Sequence, residues 1–112
     1  MSKKQDLHKL SDEALRLVAE RFKALSDPSR LKLLTELMIA EKTVGELVEV
    51  TGFGQANVSR HLQTLLRSGI LARRKDRLNV YYAISDACIP QLCELMCGSL
   101  RRQLESNSRI FE

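Results

Sequence analysis

Residues 43–84 read TVGELVEVTGFGQANVSRHLQTLLRSGILARRKDRLNVYYAI, and this stretch decides the fold. Thr43, with Glu46 three residues on, has the form of a capping box, in which each side chain bonds the other residue's backbone N–H. A short helix over about residues 44–50 follows. Thr51, Gly52, Phe53 and Gly54 read as a turn, where glycine supplies the positive φ that other residues resist. A second helix over about residues 55–68 places Val58, Leu62, Leu65 and Leu66 on one inward face, and Gly69 stops it. Residues 71–75 and 79–84 then read as two strands around Asp76, Arg77 and Leu78. Val80, Tyr82 and Ile84 alternate there with Asn79, Tyr81 and Ala83, so one face is the more apolar. Two helices on a tight glycine turn, followed by a hairpin, make a helix-turn-helix with a wing.

Charge gathers on the same unit. Between residues 55 and 77, Arg60, Arg67, Arg73, Arg74, Lys75 and Arg77 face one acid, Asp76, a net +5 in a chain of 112 residues whose total is +4. The remainder is almost neutral. That concentration suits the polyanionic backbone of nucleic acid. In a helix-turn-helix the second helix enters the major groove with polar residues toward base edges. The candidates are Gln55, Asn57, Ser59, Arg60, His61, Gln63 and Thr64. Gln and Asn pair with adenine, Arg with guanine, and Ser and Thr with phosphate or bases. Gln55 and Asn57 also sit where free helix N–H groups favour phosphate. Arg73, Arg74, Lys75 and Arg77 in the hairpin would track the flanking backbone or minor groove. His61 has a second reading, as a packing residue at the helix edge.

The flanks are helical. Residues 10–25 carry a stripe of Ala14, Leu17, Val18, Phe22 and Leu25, with Ser11 or Asp12 as cap. Asp27 suits the N-cap of a second helix and Pro28 its first position, where the missing N–H has no partner anyway. That helix carries Leu31, Leu33, Leu34, Leu37 and Met38. A last helix over about residues 87–104 carries Ile89, Leu92, Cys93, Met96, Cys97, Leu100 and Leu104, and the tail beyond is expected to fray. The whole is one domain, residues 1–112, mainly α with a small β-hairpin in the order α-α-α-α-β-β-α. Hydrophobic residues make up 44 % of it, enough for a core, although so small a domain gains from oligomerisation. No run approaches the roughly 20 apolar residues of a membrane helix, and the N-terminus lacks a signal-peptide core. A cytoplasmic protein without membrane contact is expected, its three cysteines reduced. No Ser-His-Asp-like set, phosphate loop or carboxylate pair is visible, and His8 and His61 are isolated, so an enzyme is not expected.

Four segments carry a family resemblance. Ala24-Leu25-Ser26-Asp27-Pro28-Ser29-Arg30-Leu31-Lys32-Leu33-Leu34 resembles the opening of the ArsR/SmtB winged-helix repressors. Gln55-Ala56-Asn57-Val58-Ser59-Arg60-His61-Leu62-Gln63-Thr64-Leu65 is similar to their recognition helix, and Ser68-Gly69-Ile70-Leu71 to its exit. Asn79-Val80-Tyr81-Tyr82-Ala83-Ile84 resembles their second wing strand. The resemblance covers roughly residues 14–100. It implies a homodimer built on the first and last helices, and repression relieved by an inducer, often a metal ion or metalloid. A dimer of this kind reads double-stranded DNA as an imperfect palindrome. A winged helix used only for protein contact is the competing class, which the basic stretch disfavours.

Both metal sites common in that family are altered here. The thiol motif expected at the start of the third helix is replaced by Glu46-Leu47-Val48-Glu49-Val50. At the other site, Asp86-Ala87-Cys88 matches only loosely, and the remaining ligand positions fall at about Ser99 and Arg102, a poor ligand and none. Cys88, Cys93 and Cys97 remain. Cys93 and Cys97 lie one turn apart, whereas Cys88 is about 180° from Cys97 on an ideal helix. Pro90 would let the helix begin near Ile89 and free Cys88 to turn, and two last helices in a dimer could pool four thiols. Soft ions such as As(III), Cd(II) or Zn(II) suit thiolates. Three readings stay open at this stage: buried packing of small apolar side chains, a thiol-based inducer site, and redox sensing.

Overall fold

The computed structural model describes residues 7–111, with the side chains of residues 8–107. After a single 3-10 turn at Leu7–Lys9, helix α1 spans Asp12–Leu25, and the Ser11 hydroxyl accepts from the Ala14 N–H to start it. Asp27 caps α2, Pro28–Ile39, by accepting from the N–H groups of Ser29 and Arg30. Both halves of the capping box at Thr43 and Glu46 are formed and start α3, Val44–Thr51. Gly52 ends α3 at φ 75°, the left-handed region open to glycine. Helix α4 covers Gln55–Arg67, and Gly69 at φ 80° turns the chain into strand β1, Leu71–Asp76. β1 pairs antiparallel with β2, Asn79–Ile84, in the register Leu71 to Ile84 through Asp76 to Asn79. Arg77 makes the tight connection at φ 59°.

The core is trihelical. Leu33, Leu34 and Leu37 of α2, Leu47 of α3, and Val58, Leu62 and Leu65 of α4 are buried together, closed by Ile70, Leu71 and Tyr82 at the root of the wing. Such burial is the main favourable term in folding, about 1.5–3 kcal/mol for each large aliphatic side chain. Leu66, expected with this set, is only half-buried.

The last helix starts within a residue of the expected position and differs from the expectation at its end. Helix α5 spans Cys88–Phe111, so the stretch expected to fray continues the helix through Phe111, and Glu112 lies outside the described residues. Its start is at Cys88, because Asp86 accepts from the Cys88 N–H at 2.9 Å and so caps the first turn. Cys88 is therefore a helical residue and not a free one in the preceding turn.

α1 and α5 give the core almost nothing. Among the described residues of these helices only Ala24 and Ile89 are buried, while Leu15, Leu17, Val18, Phe22, Met96, Leu100 and Leu104 remain 42–66 % exposed. The radius of gyration is 16.8 Å, against about 13 Å for a compact domain of this length. Two long amphipathic helices stand off a small core with their apolar stripes uncovered.

Candidate nucleic-acid interface

α4 sorts its residues by helical period. Val58, His61, Leu62 and Leu65 are buried, while Gln55, Ala56, Asn57, Arg60, Gln63 and Arg67 are exposed. Ser59 and Thr64 are half-buried at the boundary. The N-cap is Gly54, which offers no side-chain acceptor, so the first-turn N–H groups face outward unclaimed by a cap. Asn57 Oδ1 accepts from the Arg60 guanidinium at 3.0 Å, which holds both side chains on the outer face. Thr64 donates its hydroxyl back to Arg60 O at 3.3 Å.

His61 is a correction. It is 6 % exposed, and its Nδ1 lies 3.3 Å from the Arg30 guanidinium. Arg30 in turn donates to Ala24 O at 2.6 Å and Lys23 O at 3.4 Å, the carbonyls that end α1. His61 thus belongs to a joint between α1, α2 and α4, and points away from the outer face of α4. Burial is the main cause that holds its pKa below the ordinary histidine value; nearby Asp27 opposes this, and Arg60 and Arg30 reinforce it. A neutral ring is what the contact needs, since Nδ1 must accept from Arg30. The helical period puts position 61 beside Val58 and Leu62, in agreement with the packing reading that the sequence also offered.

The wing divides too. Leu71 is buried and the rest of β1 is exposed, including Arg73, Lys75 and the connecting Arg77. Arg74, expected on the nucleic-acid backbone with them, is already held: its Nε donates to both carboxylate oxygens of Glu41 at 3.1 and 3.0 Å, and its guanidinium stacks 4.7 Å over the Tyr81 ring. That bonding with Glu41 lowers the carboxylate's pKa and raises the guanidinium's. Glu41 was not singled out from the sequence. It precedes the capping box in an unremarkable linker, and only the tertiary fold brings it 33 residues back to the wing.

The cysteines do not converge within one chain. Among the described residues no group of three or more His, Cys, Asp or Glu side chains is placed to hold a metal ion. Cys88 at the first helical position lies about 180° around α5 from Cys97. Its thiol is pushed up in pKa chiefly by its hydrogen bond with Asp86. Cys93 and Cys97 line an apolar groove of about 270 Å³ between α1, α2 and α5 with Phe22, Leu25, Leu31, Leu92 and Met96. Burial, then Cys97 nearby, also raise the Cys93 pKa.

An outward polar face on the second helix of the turn, beside a basic hairpin and over two unpartnered dimer-type helices, coincides with what the comparisons return. The model of the bacterial regulatory protein, arsR family, matches residues 27–73. The biofilm growth-associated repressor of Xylella fastidiosa is 36 % identical over 89 residues, covering 80 % of this chain and 75 % of that protein. This chain belongs to the ArsR family. The probable mercury resistance operon repressor of Streptomyces lividans is 39 % identical over 77 residues, 69 % of this chain and 62 % of that protein. The homodimeric winged helix-turn-helix DNA-binding domain from Mycobacterium bovis superimposes with TM-score 0.79 at 29 % identity, covering 87 % and 93 % of the two chains. The ArsR-family chain is therefore a winged helix-turn-helix regulator that binds DNA, in a family of regulators and not of enzymes. Among the described residues no helix is long and apolar enough to cross a membrane.

Proposed function

We propose that this chain is a homodimeric transcriptional repressor that reads an imperfect palindrome with α4 and is released by a soft, thiol-reactive agent at Cys93 and Cys97. The observation that carries the DNA half is the outer face of α4, where Gln55, Asn57, Arg60 and Gln63 are all exposed over a buried apolar face. Base-edge contacts come from these residues, with Ser59 and Thr64 at the margin. Arg73, Lys75 and Arg77 supply salt-dependent backbone contacts. Leu17, Phe22, Met96, Leu100 and Leu104 form the partner surface and set the two copies of α4 about 34–36 Å apart, one turn of the double helix.

The sensing half rests on two thiols one helical turn apart in a groove that joins the partner-facing helices. Soft ions prefer such thiolates, and a relative's name connects a family member with mercury resistance. As(III) or Cd(II) held there would alter how α1 meets α5, and hence the spacing of the two α4 helices. A coupling of about 1–3 kcal/mol suffices to change operator occupancy. Cys88 has no part in it, being on the far side of α5.

Mobility shift against salt, with and without As(III), Cd(II), Zn(II) and a thiol oxidant, tests both halves. Binding that weakens with salt and is released by As(III) or Cd(II), but not in Cys93→Ser, Cys97→Ser, supports the reading. Release by the oxidant alone makes the pair a redox switch. Indifference to every agent reduces the cysteines to packing, and a flat response on every duplex removes the DNA half.

A further inference from the structure

The connection between α2 and α3 does more than join them. Lys42 pairs with Tyr82 as an isolated antiparallel bridge, its N–H donating at 3.1 Å and its carbonyl accepting at 2.8 Å. A one-residue third strand is thereby added to the edge of the wing. Strand alternation then places Glu41 on the face opposite the buried Tyr82 ring, the face that carries Tyr81 and its register partner Arg74. Lys42 Nζ donates to Glu36 O at 2.8 Å and Ala40 O at 3.4 Å, which ties the same connection to the end of α2. Thr43, next in the chain, starts α3.

We propose that Glu41, Arg74 and Tyr81 form a strut that fixes the angle of the wing to the helix-turn-helix, so that Arg74 and Glu41 are positioning residues for DNA binding and Arg74 is not a phosphate contact. The wing needs such a device. A two-stranded hairpin is marginally stable alone. This one is anchored at its root by Leu71 and Tyr82, while beyond Leu71 every residue of β1 is exposed and Leu78 at the tip is 96 % exposed. A guanidinium whose Nε and Nη2 grip one carboxylate, with Nη1 near Asp76 Oδ2 at 3.7 Å and the plane stacked on an aromatic face, has its charge offset and most of its donors engaged, and is a weaker phosphate ligand than its free neighbours. Among the described residues Arg73, Lys75 and Arg77 have no ion pair of this kind. They are the free charges, and the strut determines where they point. Without it, only a fraction of wing conformations is competent to bind, and the apparent affinity falls by that fraction.

The proposal rests on the wing meeting the DNA backbone, and one experiment separates the two ideas. Affinity for a selected duplex is measured against salt for the full chain and for Arg74→Gln, Glu41→Gln, the double variant, the exchange Glu41→Arg with Arg74→Glu, and Arg73→Gln with Lys75→Gln. The strut predicts that Arg74→Gln and Glu41→Gln each weaken binding roughly fivefold at low salt, the scale of a good exposed pair, and by the same factor as each other at every salt concentration. Their double variant is no worse than either, the exchange recovers most of the loss, and any change in salt slope is the same for Arg74→Gln as for Glu41→Gln. Arg73→Gln with Lys75→Gln flattens the slope by about 0.9 per lost phosphate contact. If Arg74→Gln flattens the slope in the same way while Glu41→Gln leaves affinity unchanged or raises it, Arg74 is a phosphate contact and the strut is wrong. If Arg73→Gln with Lys75→Gln changes nothing, the wing does not touch the backbone. The strut then survives only if the exchange still rescues.

Discussion

Leu100→Ala with Leu104→Ala should break the dimer while leaving the protomer folded. Both side chains lie on the uncovered stripe of α5, 52 % and 59 % exposed. Fully burying a leucine gains about 1.5–3 kcal/mol, so covering the exposed half of each contributes about 1 kcal/mol. A twofold interface uses the same patch from both copies, which makes four such side chains and about 4 kcal/mol lost in the double variant. At 1.4 kcal/mol per tenfold, the dimer dissociation constant rises by about a thousandfold. Sedimentation equilibrium over a wide concentration range reads this directly. Neither leucine belongs to the buried core set, so thermal melting extrapolated to the monomer should barely change. DNA affinity should fall with the dimer, because one half-site contact is lost. A dissociation constant within a few-fold of the parent would place the interface elsewhere, and a parent that is monomeric at high concentration would refute the reasoning outright.

Further outcomes follow from the same geometry. The unfolded chain protonates at His61 before the folded one, because the folded pKa is lowered, so stability present at neutral pH falls as pH drops below 6.5. Urea unfolding at neutral and mildly acidic pH should show a loss that His61→Gln lacks; an equal pH response in both proteins would contradict the buried neutral ring. Thr43→Ala opens the capping box of α3 and should cost about 1 kcal/mol, a drop of roughly 4–8 °C in melting temperature by calorimetry. No change there would mean that the helix start is held by packing alone. Cys88→Ser should keep any response to As(III) that Cys93→Ser, Cys97→Ser loses, measured by release from DNA; loss in Cys88→Ser would bring the far side of α5 into the site.

Local chemistry made much of this legible in the sequence. The caps at Ser11, Asp27 and Thr43, the stops at Gly52 and Gly69 and the inward face of α4 are decided within a few residues of themselves, and the structure shows each. The start of α5 is local too: the expected beginning near residue 87 is met at Cys88, and the Asp86 cap excludes the later beginning that Pro90 would also have allowed. What escaped was tertiary. His61 had two readings in sequence, and Arg30 from another helix decides for the buried one. Arg74 looks like its neighbours Arg73 and Lys75, and only Glu41, 33 residues distant, separates it from them. The separation of Cys88 from Cys97 is legible from helical period alone, and only the groove that Cys93 and Cys97 share with α1 and α2 needed the tertiary fold.

The central claim is that the outer face of α4 reads bases in a twofold-symmetric complex. Selection of bound duplexes from a random pool, run for the full chain and for Asn57→Ala and Gln63→Ala, tests it most directly. The account predicts one enriched motif, two inverted half-sites centred about 10 base pairs apart, with preference relaxed at a different position in each variant. A pool that stays random, a motif without inverted symmetry, or variants that return the parent's motif unchanged would contradict it.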